Sequence, residues 1–225
     1  FGLNIKAKEF IFIHRIDQIL KLINDELLKD KKFLILGEGS NILFKNDYDG
    51  LILHPVLKGI EVSMEDDHNC EIRVASGENW DQLVEWCVMN KLSGIENLSY
   101  IPGSVGSAPV QNIGAYGIEF QERVNWVEGV MLETGEQKRI RSKDCKFGYR
   151  QSIFKQDLRN KFLITHISLT LDKKHRFNLN YGSVKQEFEN MKRQDLKSLR
   201  ETIIKIRKRK LPDYNQIGNA GSFFK

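Results

Sequence analysis

With 225 residues, 40% of them hydrophobic and 29% charged, the chain has the composition of a soluble globular protein with ample core for one large domain or two modest ones. No apolar run approaches the ~18–20 residues that span a bilayer, and no signal-peptide pattern opens the chain. Cys70, Cys87 and Cys145 are odd in number and outside any C-x-x-C pair, and the histidines lack metal-ligand spacing, which favours a reducing compartment over a disulfide framework or a zinc site.

The elements follow in chain order. Apolar residues at Ile16, Ile19, Leu20, Ile23 and Leu27 predict an amphipathic helix over Arg15–Lys29. Phe33–Leu36 is a short apolar run of buried-strand type, and Leu51–Leu53 is a second before Pro55. Together these predict a β-α-β arrangement. Between the strands, Gly37-Glu38-Gly39-Ser40-Asn41 can turn successive amides toward one point and form an anion nest, or it is an ordinary turn. It lacks the third glycine of the dinucleotide fingerprint, and Ile42-Leu43-Phe44 reads as strand rather than helix. Glu71–Ser76 alternates as a strand, and Asn79 is placed to cap a helix carrying Leu83, Val84, Cys87 and Val88.

The stretch Tyr100–Gly117, YIPGSVGSAPVQNIGAYG, holds four of the seventeen glycines and two of the four prolines, with no charged side chain. A surface linker of this length would carry charge, so we read it as a buried loop wrapped around a ligand. Beyond it, Val124–Glu133 and Gln137–Arg141 flank Thr134-Gly135 as a hairpin. Phe162–Leu171 alternates with Leu163, Thr165, Ile167, Leu169 and Leu171 on one face and His166 on the other. Tyr181-Gly182 closes a further short strand. A helix over Leu196–Arg209 turns Leu199, Ile203 and Ile206 inward and stops at Pro212. Mixed order, with hairpins and single helices, indicates an α+β fold rather than a doubly wound parallel sheet. The net charge of +5 is concentrated between Lys192 and Lys210, where nine Lys or Arg face only Asp195 and Glu201. That helix is a solvated face or a surface for an anionic substrate or nucleic acid.

Three further clusters carry candidate chemistry. In Phe147-Gly148-Tyr149-Arg150-Gln151-Ser152 an arginine stands where it can fork onto a carboxylate or phosphate, or simply pair at the surface. Lys210-Leu211-Pro212 puts a cation at a helix end, where it also compensates the dipole. Gly218-Asn219-Ala220-Gly221-Ser222-Phe223-Phe224 offers one hydroxyl without a His/Asp partnership, so a hydrolase triad is unsupported.

In this order, the Gly37–Asn41 nest, IPGSVGSAPVQNIGAYG, FGYRQSIFK, Tyr181-Gly182, KLP and GNAGSFFK closely resemble the UDP-N-acetylenolpyruvoylglucosamine reductase family, also called UDP-N-acetylmuramate dehydrogenase or MurB. The resemblance runs over essentially the whole chain and is to the single-tyrosine subtype. It implies a cytoplasmic, monomeric flavoenzyme of peptidoglycan synthesis, with non-covalent FAD in a two-lobed fold of the vanillyl-alcohol-oxidase (PCMH) type. The lobes are residues 1–58 and 59–211, and 212–225 is the first edge of a substrate-binding domain. Gly37, Glu38, Gly39, Ser40 and Asn41, with Pro102, Gly103, Gly106, Ser107, Asn112, Gly114, Ala115, Tyr116 and Gly117, would embrace the cofactor, with the Glu38 side chain turned away.

The implied reaction takes hydride from NADPH and delivers it to the enolpyruvyl group of a UDP sugar. By motif match Arg150 would stabilise the developing charge and Ser222 would deliver the proton. Tyr149, Tyr181, Lys210 and Asn219 would bind substrate, and no metal is implied. A C-terminal glutamate and most of the third domain would follow Lys225 in the family, so the expectation is that these 225 residues bind FAD but turn over slowly, or form a non-catalytic remnant. Two rivals are weaker. Covalent flavin needs a tethering His or Cys, and His54 and His68 lie outside the flavin motifs. A nucleic-acid module needs aromatics among the cations, and none lies between Lys192 and Lys210.

Overall fold

The computed structural model describes residues 3–213 and 216. Strand β1 (Ala7–Ile13) leads through α1 (Ile16–Asn24) into β2 (Phe33–Ile35) and β3 (Tyr48–Pro55), which form a parallel sheet in the order β1-β3-β2. β1 extends the predicted β-α-β unit by one strand. Helix α1 buries Ile19 and Leu22 but ends at Asn24 instead of Lys29. The helix closes in a Schellman pattern, with Leu27 N–H donating to the Leu22 carbonyl and Glu26 N–H to that of Ile23; Glu26 and Asp30 take left-handed turns (φ 51° and 55°), and Leu27 is left exposed. Ile42–Phe44 is not a strand: β2 is already the sheet's edge, and Leu43 faces solvent.

β4 (Ile60–Glu65), β5 (Asn69–Ala75), then α2 (Trp80–Met89) follow. The Asn79 side chain accepts the Gln82 N–H at 3.1 Å and caps α2 as the sequence indicates. A small hairpin of β6 (Gly114–Ala115) and β7 (Ile118–Glu119) precedes β8 (Val124–Met131), β9 (Gln137–Arg141) and β10 (Phe162–Asp172). β8 and β9 form the predicted hairpin. These strands make an antiparallel sheet, β4-β5-β10-β8-β9, with β10 at its centre.

β10 carries a bulge between Ile164 and His166, which breaks the expected single alternation. Phe162 and Ile164 join Ile167, Leu169 and Leu171 in the core shared with α2, while Leu163 turns to the opposite side and packs with Leu53, Ala75 and Val130 between the two sheets. Tyr181 does not end a strand. It is the N-cap residue of α3 (Gly182–Glu189), which packs with Leu199, Ile203 and Ile206 of α4 (Leu196–Lys210). Asp195 caps α4 by accepting the Ser198 N–H at 2.8 Å.

Candidate functional site

The nest and the Gly/Pro loop meet across a cleft of about 400 Å³ between the two sheets. Its floor and walls include Leu34, Ile101, Val110, Phe154, Phe162 and Ile164. Gly37, Gly39, Ser40 and Asn41 border it on one side, and Pro102, Ser104, Gly106 and Ser107 on the other. The two borders are stitched together. Ser40 Oγ donates to the Pro102 carbonyl at 3.2 Å, and Asn41 Nδ2 donates to Gln111 Oε1. At Gly37 a Cβ would stand 2.3 Å from Ser107 Oγ and 2.7 Å from Ser104 Oγ, so glycine is what permits this approach. The loop is also pinned to the end of β5: Gly106 N–H donates to the Ser76 carbonyl and Val105 N–H to the Glu78 carbonyl, both at 2.8 Å.

The electrostatics of the cleft favour an anion. Among the described residues, none of the main-chain N–H groups from Gly37 to Asn41 has an intramolecular acceptor, so a run of donors is available at its rim. Lys155 and Arg159 line it and no Asp or Glu does. Ser76 is also in the lining, and among the described residues its buried Oγ has no hydrogen-bond partner; such a group in a native fold calls for a ligand or water. A cleft with apolar walls, open amides and two cations suits a molecule with a flat apolar part and a phosphate part.

Other predicted residues sit apart from this lining. Glu38 is exposed and outside it. Gly103 is adjacent, with φ +124° and a notional Cβ 3.1 Å from Ser40 Oγ. Asn112 is fully buried in the left-handed region, where Nδ2 donates to Glu119 Oε2 and to the Gly148 carbonyl. Arg150 braces the same turn, its Nη2 donating to the Gly114 carbonyl at 2.9 Å and Nη1 to that of Asn112 at 3.4 Å. The Ala115 strand pairs with Ile118, and the carbonyls of Tyr116 and Gly117 accept from Asn97 and Asn178. Tyr116 and Tyr181 meet edge to face at 5.2 Å, Lys210 Nζ lies 5.5 Å from the Tyr181 ring, and Tyr149 is exposed beside Arg150. Asn219 and Ser222 lie outside the described residues.

Residues 7–141 match the family model described as FAD binding domain. Over 228 residues the chain is 43% identical to the UDP-N-acetylenolpyruvoylglucosamine reductase of Flavobacterium johnsoniae, covering 100% of this chain and 67% of that protein. The chain belongs to the UDP-N-acetylenolpyruvoylglucosamine reductase family. The reductase of Amoebophilus asiaticus is 41% identical with the same coverage, so the chain spans about two thirds of the length of these relatives. The fold matches a solved UDP-N-acetylenolpyruvylglucosamine reductase (MurB) from Thermus caldophilus with a TM-score of 0.66 at 20% identity, over 91% of this chain and 64% of that one. A cholesterol oxidase from Brevibacterium sterolicum shares the fold more distantly, with a TM-score of 0.51 at 14% identity.

Within this reductase family member, sequence reasoning passed over Ser76, Trp80, Lys155, Arg159, Phe162 and Ile164, all of which line the cleft. Phe154 and Lys155 stood inside a quoted motif, whereas Phe162 and Ile164 depend on the bulge. The three thiols are buried and belong to the core; burial pushes the Cys145 thiol up to about 12. Among the described residues no group of His, Cys, Asp or Glu is arranged for a metal ion, and no helix is long and apolar enough to cross a membrane.

Proposed function

We propose that this chain holds FAD non-covalently in the cleft between its sheets. The lobes would be residues 1–58 and 59–211, a division supported by the end of the parallel sheet at Pro55 and the start of the antiparallel one at Ile60. The observation that carries the reading is the run of acceptor-free amides at Gly37–Asn41 facing an uncharged loop across apolar walls. Those amides would bind diphosphate without a countercharge, Ser76 Oγ would gain the partner it lacks among the described residues, and Phe154, Phe162 and Ile164 would shield the apolar part from water.

For the whole protein we propose NADPH-dependent reduction of UDP-N-acetylglucosamine enolpyruvate to UDP-N-acetylmuramate in peptidoglycan precursor synthesis, in a cytoplasmic monomer. Bound FAD supplies hydride transfer, which no side chain can provide. The chain's own residues bind and polarise substrate. Arg150, oriented by two loop carbonyls, would meet the enolpyruvyl carboxylate as the charge there grows. Ser222 would donate the proton, and Tyr149, Tyr181, Lys210 and Asn219 would hold the UDP sugar. The test of the cofactor reading is direct. The purified chain is scanned for the visible absorption of bound oxidised flavin and titrated with FAD; a colourless chain that takes up none refutes it.

A further inference from the structure

The basic helix α4 reaches the cleft loop at both of its ends. At the first end Tyr100 has φ 59°, a left-handed conformation unfavourable for a bulky side chain. Side chains hold both of its main-chain polar groups. Its N–H donates to Asp81 Oδ1 at 2.5 Å, and its carbonyl accepts from Arg207 Nε at 3.0 Å. Asp81 is itself gripped by both terminal nitrogens of Arg200, at 2.5 and 3.0 Å, and Arg200 is only 8% exposed. Seven residues are two helical turns, so Arg200 and Arg207 work from one face of α4. At the other end Tyr116, also left-handed at φ 49°, packs against the cluster of Ile203 and Ile206.

Two of the cations that gave α4 its basic appearance are therefore spent inside the protein. Neither Arg200 nor Arg207 lines the cleft, yet Pro102, Gly106 and Ser107 lie between the two points that α4 holds. We propose that α4 acts as a clamp on the loop: Arg207, together with Arg200 acting through Asp81, is a positioning residue that fixes the Tyr100 end while Ile203 and Ile206 pack the Tyr116 end, and so sets the affinity for FAD without touching it. A forked guanidinium suits this task because it can serve two acceptors in one fixed geometry. The inference rests on the reading of the cleft as the FAD site.

The experiment measures FAD affinity by flavin fluorescence in the full chain and in Arg207→Ala, Arg207→Lys, Arg200→Lys and the Arg207→Ala/Arg200→Lys pair. Thermal midpoints are taken without FAD. Arg207→Ala should raise the Kd about tenfold or more, the scale of one charged hydrogen bond. Arg207→Lys, still able to reach one acceptor, should recover part of that loss. Arg200→Lys should add less in the Arg207→Ala background than alone, because both arginines hold Tyr100. A residue of merely structural value lowers the thermal midpoint and leaves the Kd of the folded chain unchanged, and that outcome overturns the proposal. If Arg207→Ala does not fold, an unchanged Kd in both Arg207→Lys and Arg200→Lys overturns it equally. A wild-type chain that takes up no FAD overturns the functional reading, and the clamp with it.

Discussion

Gly106→Ala is the sharpest probe of how the cleft is built. The added Cβ would stand 2.6 Å from Ser76 Cβ, 3.2 Å from the Ser76 carbonyl oxygen and 3.3 Å from its Cα. Those atoms belong to or adjoin the backbone at the end of β5 and cannot rotate away. Ordinary contact begins at 3.4 Å, so the loop must retreat by about 0.8 Å. That retreat stretches the 2.8 Å bond from Gly106 N–H to the Ser76 carbonyl beyond useful length. Overpacking costs about 1–3 kcal/mol and the lost bond about 0.5–1.5, so the variant loses about 2–4 kcal/mol. For a chain of this size that lowers the thermal midpoint by roughly 4–16 °C. Because Ser104 and Ser107 move with it, FAD binding falls by at least about tenfold. Gly182→Ala is the control, since nothing lies within 4 Å of its notional Cβ. Circular dichroism melts and a flavin fluorescence titration read both effects. A Gly106→Ala chain with the wild-type midpoint and wild-type Kd would refute the claim that this contact sets the loop.

Two more substitutions test the site by sign as well as size. Ser76→Ala removes a buried hydroxyl that has no partner among the described residues, so the FAD-free protein should keep its stability or gain about 1 kcal/mol, while the Kd for FAD rises about 2- to 10-fold; loss of stability with unchanged affinity would count against a ligand partner. Glu96 is 3% exposed, and burial raises its pKa from the ordinary 4.5 against the pull of the Gly94 N–H. The native chain thus holds this proton more tightly than the unfolded one, so the contribution to stability is full below pH 4.5 and is lost as pH rises through the folded value. Glu96→Gln should flatten that part of the decline in urea unfolding, and parallel slopes for wild type and variant would show that Glu96 does not cause it.

The local rules that succeeded were those whose physics is complete within a few residues. Asn79 capping α2, the hairpin at Thr134-Gly135, and the inward stripe of Leu199, Ile203 and Ile206 depend on side chains three or four apart or on one turn. The buried loop was legible because absence of charge over eighteen residues is itself a signal. Failures came where a distant partner decides. The alternation of β10 was broken by a bulge opposite Gly129 and Glu128, and a bulge leaves no mark in a one-dimensional pattern. That one irregularity turns Phe162 and Ile164 toward the cleft. Tyr181 looked like a strand end but stands at the N-cap of a helix that packs on α4, the next helix in the chain, a tertiary contact that no local pattern marks. Ile42–Phe44 has the composition of a strand, and no strand stands beside it to pair with.

The loop's lack of charge gains its meaning from where the charges stand instead. Its first half borders the cleft, while its second half folds into a buried turn held from outside. Arg150 reaches the carbonyls of Asn112 and Gly114, Arg207 that of Tyr100, and Glu119 accepts from the Asn112 amide. Gly114 lies close under these groups, since a Cβ there would stand 3.1 Å from the Glu119 side chain and in contact with Arg150 Nη1 at 3.6 Å. A carboxylate within the loop would repel a diphosphate, and a lysine would have to shed its hydration to be buried there. Keeping the cations on α4 and next to Tyr149 lets them fix the loop through its carbonyls, so the loop can close over an anionic ligand using main-chain amides and hydroxyls alone.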